Sequence, residues 1–103
     1  MASTLNKRLE LDDILSNICE NCYFEPPTSK KLKYPCIIYN RTNNTKYSAD
    51  NIPYILNTRY TVTVVDPDPD SEIVPKLEMM EKCTYDTHFE TEGLSHDVFT
   101  IYY

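Results

Sequence analysis

The clearest alternation of apolar and polar positions lies in residues 59–66. Tyr60, Val62 and Val64 occupy every second position, and the positions between them are polar. In an extended chain these two sets face opposite sides, and β-branched and aromatic residues are typical of half-buried strands. The sequence therefore predicts a strand over 58–66 with one face in the core.

A second periodicity, with spacings of three and four residues, predicts a helix near the N-terminus. These spacings place the apolar residues on one stripe of a helix that begins between Thr4 and Arg8. The stripe consists of Leu11, Ile14, Leu15, Ile18, Cys19 and Cys22.

Shorter apolar runs predict four more strands, over 22–25, 34–40, 83–90 and 97–103. Pro26-Pro27 ends the first of these, and Pro35 indicates an edge position or a strand end because proline lacks an N–H. Gly93 predicts the turn of a hairpin between the last two strands. Residues 46–57 alternate less clearly, and we interpret them as a long loop or a bent strand.

An acidic, proline-rich segment follows the first-mentioned strand directly, with the sequence Asp66-Pro67-Asp68-Pro69-Asp70-Ser71. Each proline fixes its own φ and moves the preceding aspartate out of the helical region, so this segment is a rigid corner. Asp70 or Ser71 is expected to cap a short helix over 71–81. A strand that ends in a rigid acidic corner is typical of a docking protein.

The order of these elements predicts one α+β domain over residues 1–103. We expect a mostly antiparallel sheet of about four to six strands, with the N-terminal helix and the second short helix packed on it.

Charge and composition exclude several classes of function. The net charge of −6 argues against a general nucleic-acid binder, and a single glycine argues against a glycine-rich phosphate loop. The N-terminus lacks the apolar segment of a signal peptide, and no run approaches a membrane span. We therefore expect a protein that is made in the cytosol with reduced thiols and has no membrane partner.

The cysteines and histidines leave one minor alternative open. Cys19-x-x-Cys22 is half of a zinc motif, but no second tight pair follows, so small core residues are the favoured interpretation. A small intracellular metal-binding or inhibitory module that uses Cys19, Cys22, Cys36 and a histidine remains the alternative. The alternating aspartates of the corner lack the glycine and glutamate of a calcium loop. We expect no metal and no cofactor.

Catalysis is also not predicted. His96-Asp97, with His88 nearby, suggests a nucleophilic site with Cys83 or Cys36, but no signature or oxyanion loop accompanies these residues. The sequence therefore predicts a protein that is not an enzyme.

A series of short motifs resembles a small protein family of tailed bacteriophages, described as minor capsid, tail-completion or tail-terminator proteins. The resemblance rests on the order of the motifs and covers about four-fifths of the chain. The motifs are Tyr23-Phe24-Glu25-Pro26-Pro27, Tyr34-Pro35-Cys36-Ile37-Ile38-Tyr39, Tyr47, Ala49-Asp50-Asn51-Ile52-Pro53-Tyr54, Arg59-Tyr60-Thr61-Val62-Thr63-Val64, Asp68-Pro69-Asp70-Ser71 and His96-Asp97-Val98-Phe99-Thr100.

The resemblance implies a homo-oligomeric ring, hexameric in the tail-terminator family, that caps the tail tube and meets the head connector. The implied partners are the tail tube protein and the head–tail connector protein, and genomic DNA would pass through the lumen without specific binding. The protein would reside in the virion after assembly in the host cytoplasm, and a head-completion protein of the neck is the alternative. Candidate interface residues are Tyr47, Asp50, Asn51, Tyr54, Arg59, Asp66, Asp68 and Asp70.

Overall fold

The computed structural model describes residues 4–42 and 58–103. The described part forms an α+β fold with a five-stranded, mostly antiparallel sheet, which confirms the predicted class. Its elements in chain order are α1 (Thr4–Ile18), β1 (Cys22–Phe24), β2 (Cys36–Arg41), β3 (Arg59–Asp66), α2 (Ile73–Glu78), β4 (Cys83–Thr91) and β5 (Leu94–Tyr102).

The strand order in the sheet is β1-β2-β3-β5-β4. β1 and β2 are parallel, and every other neighbouring pair is antiparallel. β3 therefore occupies the centre, where it pairs with β2 on one side and β5 on the other. β1 and β4 are the two edge strands of this sheet.

The alternation in β3 predicts its buried face correctly: Tyr60, Val62 and Val64 are fully buried. Both helices pack on this same face. Each fully buried leucine of α1 or α2 contributes about 1.5–3 kcal/mol relative to an exposed position. The core consists of Leu11, Leu15, Cys19, Ile37, Tyr39, Tyr60, Val62, Val64, Ile73, Leu77, Phe99 and Ile101.

A polar contact also fastens α1 to the sheet. The buried Tyr39 hydroxyl of β2 donates a hydrogen bond to the Asp12 carboxylate and accepts one from Arg8. The Arg8 guanidinium lies 4.4 Å from the centre of the Phe24 ring in β1. The helix is therefore positioned by two hydrogen bonds and a cation–π contact as well as by its leucines.

α1 ends at Ile18, one turn before the end of its apolar stripe. Cys22 starts β1, as the strand predicted over 22–25 requires, and pairs with Ile37. The Asn21 carbonyl accepts a 2.8 Å hydrogen bond from the Ile37 N–H. Both Cys19 and Cys22 contact the same core, so the apolar pattern continues although the backbone changes from helix to strand. The strand predicted to begin at residue 34 starts at Cys36, and Pro35 therefore marks a strand end and not an edge strand.

The closing hairpin is longer than its sequence pattern predicts. Glu92 and Gly93 form a two-residue turn with φ values of +54° and +76°. This left-handed geometry matches the twist of the flanking strands, and Gly93 adopts it without a steric cost. Pairing therefore extends to Thr91 and Leu94, and Asp97 lies inside β5 instead of starting it.

Candidate functional site

The acidic corner at the end of β3 is rigid because its own side chains bind its backbone. Asp66 accepts a 2.8 Å hydrogen bond from the Asp68 N–H, and Asp68 accepts a 2.9 Å bond from the Asp70 N–H. Ser71 then accepts a 3.2 Å bond from the Ile73 N–H. Together with the fixed φ of Pro67 and Pro69, these bonds define one conformation.

The corner introduces α2, but not through the expected cap. The N-cap position is Glu72, whose side chain makes no capping bond, and α2 ends at Glu78. Ser71, one residue before this N-cap, accepts the hydrogen bond from the Ile73 N–H with its side chain. Asp70 therefore does not cap α2, and its exposed carboxylate extends from the corner.

The three aspartates of the corner differ in exposure. Asp66 is 8% exposed, so its carboxylate holds the corner from inside. Asp68 and Asp70 are exposed and present two negative charges to solvent. Of the three candidate interface residues in the corner, these two are placed to contact a partner directly.

A cavity of 330 Å³ lies beside the corner. It is bordered by the corner, by the start of α2 and by one residue of β5. Its lining residues are Pro69, Asp70, Ser71, Val74, Pro75 and Asp97.

Asp97 is buried, and its carboxylate has two partners on β4. Its Oδ1 accepts a 2.8 Å hydrogen bond from the Tyr85 hydroxyl and lies 2.7 Å from Nδ1 of His88. The pKa of Tyr85 rises to about 12 because its hydroxyl donates this hydrogen bond to a carboxylate. Burial also disfavours the charged phenolate. The His88 side chain is 39% exposed, so this cluster connects the interior to the surface.

A β-bulge brings Tyr85 and His88 to the same face. The register shifts between Tyr85 and Thr87, so that Asp86 is the extra residue in β4. Without the bulge, residues 85 and 88 would face opposite sides of the sheet, because their separation is odd. The alternation rule applied to β4 therefore misses this cluster, and Tyr85 was not identified from the sequence.

The nucleophilic site considered from the sequence is not assembled. His88 does contact Asp97, but Cys83 pairs with Ile101, four residues or about 13 Å further along β5. Cys36 lies in β2, on the far side of the central strand. His96 faces the opposite side of the sheet from His88 and stacks on Phe89 with 4.7 Å between the ring centres.

The four thiols are free, and burial raises the pKa of each. The pKa values of Cys22 and Cys36 rise to about 12, and for Cys22 the negative charge of Asp12 adds to the effect of burial. The Cys19 sulfur lies 3.7 Å from the Asn21 carbonyl oxygen and 3.5 Å from that of Pro35, so its single S–H proton has an acceptor. Protonated thiols are poor nucleophiles and poor metal ligands.

The remaining candidate interface residues lie outside the corner. Arg59 is half-buried at the start of β3, on the face opposite the helices, and pairs with Tyr102. Its carbonyl accepts a 2.8 Å hydrogen bond from the Thr42 N–H. Four further candidates fall outside the described residues: Tyr47, Asp50, Asn51 and Tyr54.

Residues 4–42 and 58–103 contain neither a cluster of metal ligands nor a helix that could span a membrane. These residues contain no group of three or more His, Cys, Asp or Glu side chains that could hold a metal ion. They also contain no helix that is both long and apolar enough to cross a bilayer.

Comparison with known proteins found no family model, no curated protein and no solved structure that matches the chain.

Proposed function

We propose that the chain is a structural virion protein of a tailed bacteriophage. In this proposal it forms a ring that terminates the tail tube and joins the tail to the head connector. The observation that carries the proposal is the corner that follows the central strand. Three hydrogen bonds between side chains and backbone hold the exposed Asp68 and Asp70 in fixed positions. A preformed surface loses little conformational entropy on assembly, which suits a docking role.

The order of the sequence motifs supports the phage assignment, and the charge is compatible with it. Each subunit carries a net charge of −6, and a ring multiplies that charge around its lumen. A negative lumen repels the DNA backbone, so the genome passes without adhering. The partners in this proposal are further copies of the chain, the tail tube protein and the head–tail connector protein.

Electron microscopy of particles from a phage that lacks the protein tests the proposal. Tails of irregular length that fail to join heads are expected, because nothing then ends tube growth or presents a surface to the connector. Tails of normal length that still join heads would contradict the proposal. A reconstruction of the neck separates the two related roles, since density on the head side would indicate a head-completion protein instead.

The corner itself is tested by complementation with Asp68→Asn combined with Asp70→Asn. Asparagine keeps the oxygen that accepts the Asp70 N–H, so the corner retains its shape while it loses two charges. We expect this variant to fold normally but to yield fewer particles in which a tail is joined to a head than the wild-type protein does. The matched control is Asp13→Asn with Glu20→Gln, which removes two exposed charges near α1. Equal numbers of joined particles from both variants would exclude a docking role for the corner.

A further inference from the structure

The two edges of the sheet carry opposite charges. We propose that copies of this chain associate head to tail, with the acidic edge strand β4 of one copy against the basic loop 28–34 of the next. This inference rests on the proposed ring, and it names the surfaces that would join neighbouring subunits.

β4 is exposed along almost its whole length. It spans nine residues and pairs only with β5 among the described strands. Two large aromatic side chains lie on it, since Tyr85 is 43% and Phe89 46% exposed. A long edge strand with exposed aromatic residues is a template for pairing with another chain.

The charge of this edge is uniformly negative. Between residues 83 and 92 the exposed acidic residues are Asp86, Glu90 and Glu92, and the sequence has no lysine or arginine there. Two copies of β4 placed against each other would bring these carboxylates together. Like-charge juxtaposition opposes that symmetric pairing and favours a basic partner.

The opposite edge of the sheet supplies such a partner. Lys30, Lys31 and Lys33 are exposed on the loop that follows β1. The loop is fixed to β1, because the Lys33 N–H donates a 3.2 Å hydrogen bond to the Tyr23 hydroxyl and the Lys30 ammonium lies 5.5 Å from the Tyr23 ring centre. Tyr34, 43% exposed, adds an aromatic surface next to the lysines.

The β4 edge and the basic loop of one chain are too far apart to contact each other. Four strand spacings separate β1 from β4, a distance of roughly 19 Å. Contact between the acidic strand and the basic loop therefore needs two copies. Because the two surfaces differ, each added copy leaves one acidic edge and one basic loop free, and the arrangement closes as a ring or continues as a filament.

Zero-length carbodiimide cross-linking of a mixture of ¹⁴N- and ¹⁵N-labelled protein tests this contact. The reagent joins carboxylates to lysines that touch, and a peptide pair of mixed isotopes identifies a link between two copies. We expect mixed pairs between the lysines of loop 28–34 and the carboxylates of β4. Their yield should fall in about 1 M salt, where the Debye length is about 3 Å.

Charge reversal provides the specific control. Glu90→Lys with Glu92→Lys, or Lys30→Glu with Lys31→Glu, should each lower the yield of links between copies by about tenfold or more, because reactive groups are lost and like charges then repel. Mixing the two reversed variants should restore it. Asp13→Lys with Glu20→Lys, which changes the net charge as much as the first pair, should have a smaller effect.

Absence of mixed-isotope links in the wild-type protein would overturn the proposal, as would links that survive both reversals unchanged. The phage experiment stays separate: particles that need the protein, together with no β4-to-loop links, would leave the virion role intact and exclude only this contact.

Discussion

Tyr85 and Asp97 are joined across the last two strands, where the Tyr85 hydroxyl donates a 2.8 Å hydrogen bond to the buried Asp97 carboxylate. The two residues are not directly opposite, since Tyr85 pairs with Phe99 and His88 pairs with Asp97. The bond therefore runs diagonally and fixes the bulged part of β4 to the sheet. Since Asp97 also lines the cavity beside the acidic corner, the bond connects the exposed edge strand to a residue of that cavity.

This bond predicts a loss of stability at high pH. The folded-state pKa of Tyr85 is about 12, above the unfolded value of about 10. The contribution of the protonated Tyr85 to the unfolding free energy is fully present below pH 10 and is lost as the pH rises through 12. We expect Tyr85→Phe to show a shallower decline of the unfolding free energy over that range, as measured by urea titrations at several pH values.

Asp97→Asn provides the matching test of the cause. Removing the charged acceptor should also flatten the decline, and the double variant should be no flatter than either single one. At neutral pH Asp97→Asn should cost about 1–3 kcal/mol, because a buried acceptor of two hydrogen bonds is altered. Additive slopes in the double variant would show that the two residues titrate independently.

Loss of the hydroxyl should change the unfolding free energy differently at two fully buried tyrosines. Tyr39 donates to Asp12, whereas the Tyr60 hydroxyl has no hydrogen-bond partner among the described residues. Tyr39→Phe is expected to cost about 1–3 kcal/mol, and Tyr60→Phe to be neutral or slightly stabilising. Thermal unfolding of the two variants under one condition checks this, and a similar loss in both would contradict it.

The corner should depend on Ser71 much more than on Asp70. Ser71→Ala leaves the buried Ile73 N–H without its acceptor, which should cost about 1 kcal/mol. Asp70→Ala keeps the N–H that donates to Asp68 and removes only an exposed carboxylate, so a change within about 0.5 kcal/mol is expected. Urea unfolding of both variants provides the comparison, and a larger loss in Asp70→Ala would mean that its side chain holds the corner.

The thiols should react slowly in the folded protein. Burial raises the pKa values of Cys22 and Cys36 to about 12, so few of these thiols are thiolates at pH 8. With Ellman's reagent we expect slow labelling in buffer and fast labelling of all four thiols in denaturant. Fast native labelling that Cys22→Ser removes would contradict this, and stoichiometric zinc in the purified protein would favour the metal-binding alternative.

Much of the local structure could be predicted from the sequence. The alternation in β3 identified its buried side chains, and the stripe from Leu11 to Ile18 identified α1, because these periodicities reflect where successive side chains point. The prolines indicated the corner correctly, since their φ restriction is local. The apolar stripe continues past the end of α1 at Ile18, because Cys22 pairs with Ile37 in β1, and the N-cap of α2 is Glu72 and not Asp70 or Ser71.

The sequence by itself determined the kind and approximate order of the elements and the rigidity of the Asp66–Ser71 corner. Only the tertiary structure decided the strand order, the bulge at Asp86 and the separation of the acidic β4 edge from the basic loop. The physical reason is the separation in sequence of the residues that interact. Periodicity and proline restriction act between near neighbours, whereas strand pairing joins residues far apart in the chain. The shared face of Tyr85, His88 and Asp97 follows from that pairing, and no local pattern contains it.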